Sequence, residues 1–312
     1  MAIISKLDNE FTQLLKAQIV FFNNPQTKGT LSITLEGGDL SKYVVEKTLK
    51  RDLEDIKDLP LIMSEKLFLE QTGRLRKEFL KYIEKNRYLK AELIKDKEGV
   101  KEVRLTGNLV DLILAEYPVT TTVQEHVTIN QDEVDGLILA NLIPEAARRF
   151  QMKADFIRYD DHAKIYLGGC RDRITYDWHS IVVTTITGDL KDKVIGTNHL
   201  LTAFALNYPV EGYLDDKMWE KDWDKKDIAL DWETSKDGWT GARINPDTTI
   251  LWDTPPDFNI LIDGSNMFDA SHFAQHNRNK NIIIEWDKGL ANDFGTSDIK
   301  KLKVVKKISA EQ

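Results

Sequence analysis

His272 and His276 stand four residues apart, a spacing that on a helix puts both imidazoles on one face, and Asp269 lies one turn upstream. Two nitrogen ligands beside a carboxylate point to a metal pair. The glutamate of a His-Glu-x-x-His zinc site is absent, because Phe273, Ala274 and Gln275 fill the interval. Asp263, closing the apolar run from Asn259, is the nearest further carboxylate. Asp263, His272 and His276 are therefore the candidate metal ligands if the chain binds a metal at all. Their alternative is a tight turn in which Asp263, Gly264 and Asn266 supply backbone angles. His126, His162, His179 and His199 lie in unrelated contexts and read as structural or surface residues.

Other polar clusters fall short of a reaction. The segment Asn259 to Asn266 resembles the opening of PIN-like and NYN-type nucleases, in which a strand-end Asp helps hold a divalent ion. Such an ion needs several converging carboxylates, and too little chain follows Asn266 to supply them. Pro256-Asp257 followed by Glu285-Trp286-Asp287-Lys288 resembles the restriction-endonuclease pattern, but Trp286 stands where an acid is required. No glycine cluster forms a phosphate loop. Cys170 is the single cysteine; it excludes an intramolecular disulfide and a multi-cysteine zinc site, and reads as a small residue at a strand end or turn.

Trp219 and Trp223, one helical turn apart in an acidic stretch with Trp232 and Trp239 beyond, suit a core, a protein interface or a sugar-stacking site. The net charge of -8 argues against a nucleic-acid footprint spread over the surface. The N-terminus carries no basic region followed by an apolar core, and nowhere do eighteen apolar residues run together, so neither a signal peptide nor a transmembrane segment is expected.

The elements that must position these residues fall into two textures. Residues 3 to 17, with Ile4, Leu7, Phe11, Leu14 and Leu15 at helical spacing, predict an amphipathic helix. Ile19 to Phe22 and Thr30 to Glu36 predict strands flanking the turn Asn23-Asn24-Pro25, with Leu31, Ile33 and Leu35 on one face. Residues 64 to 95 carry the longest helical pattern, which Gly73 can split in two. Val119 to Ile129 alternates as a strand, and 132 to 150 returns to helix with Pro144 inside it. From Asp155 onward short alternating segments predominate, among them Ala163 to Leu167, Ile228 to Trp232 and Phe258 to Ile262, separated by Gly, Asp, Asn and Pro.

That pattern predicts a mainly β fold with helical insertions: two packed jelly-roll-like β-sandwiches and an N-terminal amphipathic helix. The boundary falls near Gln151 to Asp155. Residues 1–152 then hold the N-terminal helix and a first sandwich with its long helical insertion, and residues 153–312 the second sandwich. The organisation resembles the double jelly-roll major capsid proteins of membrane-containing icosahedral bacteriophages, although the helical stretch 64 to 95 is longer than those barrels usually carry. The resemblance implies a structural subunit and not an enzyme, with no cofactor, located in the virion after synthesis in a host cytoplasm. Its partners would be further copies of itself, as trimers building a shell, together with other virion proteins or an inner membrane surface, and no sequence-specific nucleic acid. Ile4, Leu7, Phe11, Leu14, Trp219 and Trp223 would then serve the interface. The alternative is a metal-dependent, nuclease-like hydrolase using Asp257, Asp263, His272 and Glu285.

Overall fold

The computed structural model describes residues 3–36, 38–135, 148, 151–152, 154–155, 157–159, 164–167, 183–184, 188, 190–214, 241–244, 259–263, 282–286 and 303–310. In chain order the first part comprises α1 (Phe11–Asn23), β1 (Lys28–Glu36), α2 (Leu40–Tyr43), α3 (Glu46–Lys57), α4 (Met63–Gln71), α5 (Lys77–Lys85), β2 (Glu92–Lys95), β3 (Val100–Asn108) and α6 (Leu109–Asp135). Next come β4 (Ile165–Leu167), β5 (Val194–Thr197), the short helix α7 (Leu200–Leu206), β6 (Tyr213–Leu214), β7 (Gly241–Ile244), β8 (Asn259–Asp263), β9 (Ile282–Trp286) and β10 (Lys303–Ala310).

Four strands form an antiparallel sheet in the order β10-β1-β3-β2. In β1, Leu31, Ile33 and Leu35 point into the core while the residues between them are partly or fully exposed, the alternation of a sheet with one dry face. α6 lies against α1, β1 and β10, and its Leu112, Ile113, Val119, Val123 and Val127 join the same apolar cluster. The charged helices α3 and α5 bury only their inner stripes, Leu49, Asp52, Leu53 and Ile56 in one and Phe79, Leu80 and Ile83 in the other.

The other six strands are all parallel, in the order β5-β4-β9-β8-β7-β6. Its two edges meet. Thr197 at the end of β5 donates its amide to the Pro209 carbonyl (3.1 Å) and accepts from the Glu211 amide (3.1 Å), a parallel bridge to the segment that runs into β6. The sheet thereby closes on itself, with Tyr166, Tyr213 and Ile283 in a buried cluster and the Tyr166 and Tyr213 rings 4.8 Å apart. Gly196 permits the closure: a Cβ there would sit 2.9 Å from Glu211 Cγ and 3.0 Å from the Pro209 oxygen.

This architecture corrects the sequence-based fold. The described chain is not mainly β, and its strands do not form two jelly-roll sandwiches; one sheet is antiparallel with helices on it, the other parallel and closed. The cause is the apolar run. Ile260-Leu261-Ile262 and Ile282-Ile283-Ile284 are continuous stretches, the mark of parallel strands covered on both faces, whereas a sandwich strand alternates. Val119 to Ile129, expected as a strand, belongs to α6, where its β-branched residues are largely buried and tertiary packing overrides their local preference. The N-terminal helix starts at Phe11, not residue 3, and includes Ile19 to Phe22. Residues 64 to 95 divide into α4, α5 and β2, with Gly73 in the left-handed region (φ 67°) at the first break. The segment Ile228 to Trp232, Pro144 and most of 132 to 150 lie outside the described residues.

Candidate active site at the rim of the parallel sheet

Because all six strands run one way, Leu167, Thr197, Leu214, Ile244, Asp263 and Trp286 end on a single rim. Closed parallel sheets carry their chemistry at this C-terminal rim, where loops from different strands converge on one space.

The best-defined part of the rim is the turn from β5 into α7. Thr197 Oγ1 donates to the Leu167 carbonyl at the end of β4 (2.7 Å) and accepts from the His199 amide (3.1 Å), so one hydroxyl ties two strand ends together. His199 follows, 2 % exposed. Its Nε2 lies 3.1 Å from Asp8 Oδ1 and its Nδ1 2.7 Å from Thr202 Oγ1. A carboxylate can only accept, so Nε2 carries a proton, and in the neutral ring Nδ1 accepts from the Thr202 hydroxyl. The Tyr117 ring stands 6.1 Å away, centroid to centroid.

Asp8 arrives from the far end of the sequence. Residues 8 to 11, a bend that leads into α1, lie against the β5–α7 turn: the Phe11 amide donates to the Asn198 carbonyl (2.7 Å), the Leu200 amide donates to the Asn9 carbonyl (3.0 Å), and Glu10 and His199 form an antiparallel bridge. Two residues earlier, Lys6 is buried with Nζ donating to the carbonyls of Ile83 (3.0 Å) and Asn86 (2.6 Å) at the end of α5. Burial, reinforced by the nearby Arg87 charge and opposed by Glu65, pulls the Lys6 ammonium down to about 8.

The sequence-derived residues are dispersed. Leu7, Phe11 and Leu14 are buried in the chain's own core, while Ile4 is 49 % exposed. Asp263 is the last residue of β8, on the rim, in register with Glu285 of β9. His272, His276, Asp257, Trp219, Trp223 and Cys170 lie outside the described residues. Among the described residues, no three His, Cys, Asp or Glu side chains group as a metal site, and no helix is long and apolar enough to cross a membrane. His199 and Asp8 were missed from the sequence. The available signal was the order of Val194 to Thr197, a strand containing glycine, running through His199 straight into the apolar helix from Leu200, a strand-to-helix turn of a parallel α/β unit.

No family model matches the chain. It is similar over 220 residues to nicotinate phosphoribosyltransferase of Acinetobacter baumannii, at 24 % identity, covering 65 % of this chain and 52 % of that protein. It is also similar over 205 residues to nicotinate phosphoribosyltransferase of Pseudomonas putida, at 25 % identity, covering 64 % and 50 %. The chain thus spans about half the length of the curated relatives it matches. Solved nicotinate phosphoribosyltransferases superpose over nearly all of it. That of Porphyromonas gingivalis does so with a TM-score of 0.73 at 15 % identity, covering 98 % of this chain and 90 % of that one; that of Vibrio cholerae gives 0.74 at 14 %, covering 99 % and 87 %. The chain has the nicotinate phosphoribosyltransferase fold.

These likenesses overturn the capsid reading. A double jelly roll has no closed parallel sheet, and the relatives are named as transferases of cellular organisms. The self-assembling structural subunit without enzymatic activity, its trimeric shell, its virion or inner-membrane partners and its virion location all rested on the capsid resemblance and fall with it. The nuclease-like hydrolase alternative finds no support among the relatives either.

Proposed function

We propose that this chain transfers a phosphoribosyl group to nicotinate or a close pyridine analogue, with catalysis at the C-terminal rim of the parallel sheet. The observation carrying the reading is the coincidence of two likenesses: sequence similarity over more than 200 residues, and superposition over nearly the whole chain, both with nicotinate phosphoribosyltransferases. In the reaction the pyridine nitrogen lone pair forms a bond to ribose C1 as the bond from C1 to pyrophosphate oxygen breaks. The nitrogen carries no proton to be removed. What the protein must supply is alignment of the two reactants and stabilisation of charge leaving with the pyrophosphate. His199, whose Nε2–H is held by Asp8, is the side chain proposed to act there through its Nδ1 lone pair, accepting a hydrogen bond from a ribose hydroxyl in place of the Thr202 hydroxyl.

The test is direct. Purified protein is incubated with nicotinate and 5-phosphoribosyl 1-pyrophosphate, supplied as its magnesium salt, and pyrophosphate and the mononucleotide are quantified by chromatography. Equimolar formation of both, abolished or strongly reduced in His199→Ala while far-ultraviolet circular dichroism is unchanged, is the expected result. Absence of product with nicotinate, nicotinamide and quinolinate alike would overturn the reading.

A further inference from the structure

Asp8 and His199 are separated by 191 residues of sequence, yet their side chains meet with 0 % and 3 % of their respective surfaces exposed. The contact is not a chance surface pairing. The backbone around it is fixed from both sides by Phe11 bonded to Asn198 and Leu200 bonded to Asn9, which holds the main chain next to Asp8 beside the β5–α7 turn. On the opposite edge of the ring Thr202, one turn into α7, takes Nδ1. An imidazole gripped at both nitrogens has one orientation and one neutral tautomer, the Nε2–H form.

We infer that Asp8 is a positioning residue of the transferase site, acting through His199 by fixing the ring's orientation and tautomer at the sheet rim; this rests on the reaction proposed above. Neither Asp8 nor the segment 8 to 11 need touch a reactant. Their contribution is a histidine whose acceptor geometry at Nδ1 is set before substrates arrive, the job done by the hydrogen-bond partners of metal-ligating histidines, whose loss matters on the order of 10- to 100-fold.

Wild type, Asp8→Ala, Asp8→Asn, His199→Ala and the Asp8→Ala/His199→Ala double variant would be compared in the full chain by steady-state transfer assay, together with the side-chain 15N NMR signals of His199. In Asp8→Ala we expect kcat to drop about 10- to 100-fold with KM for nicotinate changed far less. The double variant should be no slower than His199→Ala, and Asp8→Asn, whose amide oxygen still accepts from Nε2–H, should recover most of the loss. The nitrogen spectrum should pass from a single Nε2–H tautomer in wild type to a mixture in Asp8→Ala. Losses that multiply in the double variant, an unchanged kcat in Asp8→Ala, or an unchanged tautomer would overturn the inference. Should Asp8→Ala fail to fold, Asp8→Asn decides, since a kcat as low as that of His199→Ala would show that placement of an acceptor is not what matters. If wild type transfers nothing, the proposed reaction fails by itself, and the spectrum still settles whether Asp8 fixes the ring.

Discussion

The side-chain amide of Asn9 donates to the Leu114 carbonyl at 2.9 Å, the carbonyl to which residue 118 would donate in an unbroken helix. Residue 118 is proline, inside α6, and has no amide hydrogen. A side chain 105 positions away in sequence thus takes the place of the missing helical bond, in a buried setting where an unpaired carbonyl is costly. Because the Asn9 backbone carbonyl also receives the Leu200 amide, one residue joins the proline turn of α6 to the rim helix α7.

Asn9→Ala should destabilise the fold by about 1–3 kcal/mol, the usual cost of leaving a buried polar group without its partner. In a Pro118→Ala background, where residue 118 regains an amide hydrogen, the same substitution should cost less by roughly 1 kcal/mol. Urea unfolding of the four proteins measures both quantities. Equal costs in the two backgrounds would mean that Asn9 does not stand in for the helical bond.

How far such relationships were legible in the sequence depends on their range. Local patterns were readable: the alternation of Leu31, Ile33 and Leu35 marks β1, Asn24-Pro25 follows the end of α1 at Asn23, and Gly73 breaks a helical stretch. Patterns that two structures share were misread. Val119 to Val127 fits a strand by alternation and a buried helix by burial, and only the packing of α6 against α1 and the antiparallel sheet decides between them. Ile282 to Ile284 shows no alternation, and so fits a buried parallel strand better than a sandwich strand. The rim contacts were beyond reach, since nothing local to Asp8 or Asn9 announces a partner near residue 199 or 114.

Glu116 on α6 is partly buried and paired with Lys306 of β10 at 2.8 Å, linking the last described strand to the long helix. Burial pushes the Glu116 carboxyl up, but the ammonium groups of Lys306 and Lys16 outweigh it and hold it below the ordinary range. A carboxylate lowered by folding contributes stability above its unfolded value, and that stability is lost as pH falls through its folded value. Lys306→Met should therefore cost about 1–3 kcal/mol at neutral pH by leaving the carboxylate short of its main partner, and less in acid. Adding Glu116→Gln to Lys306→Met should recover part of the loss. Thermal unfolding at pH 7 and pH 4 checks the sign, and a loss that grows in acid would contradict it.

Lys6 changes stability in the same direction with pH, but in the alkaline range and by relief of a penalty. Its unfolded value is 10.5, whereas burial and the charge of Arg87 bring the folded value to about 8. Between those values the folded chain holds fewer protons at this site than the unfolded chain. The penalty of a buried ammonium is thus fully present below about pH 8 and relieved as pH rises toward 10.5, at a slope of at most about 1.4 kcal/mol per pH unit. Lys6→Met keeps the apolar stem and removes the titration, though it also gives up the bonds to Ile83 and Asn86 that cap α5. The measurable quantity is the difference in unfolding free energy between wild type and Lys6→Met, followed by urea titration from pH 7.5 to 10. It should shift in favour of wild type as the pH rises. A difference that stays flat across the range would show that Lys6 titrates in the folded protein as it does in the unfolded chain, and that the carbonyls of Ile83 and Asn86 compensate its burial in full.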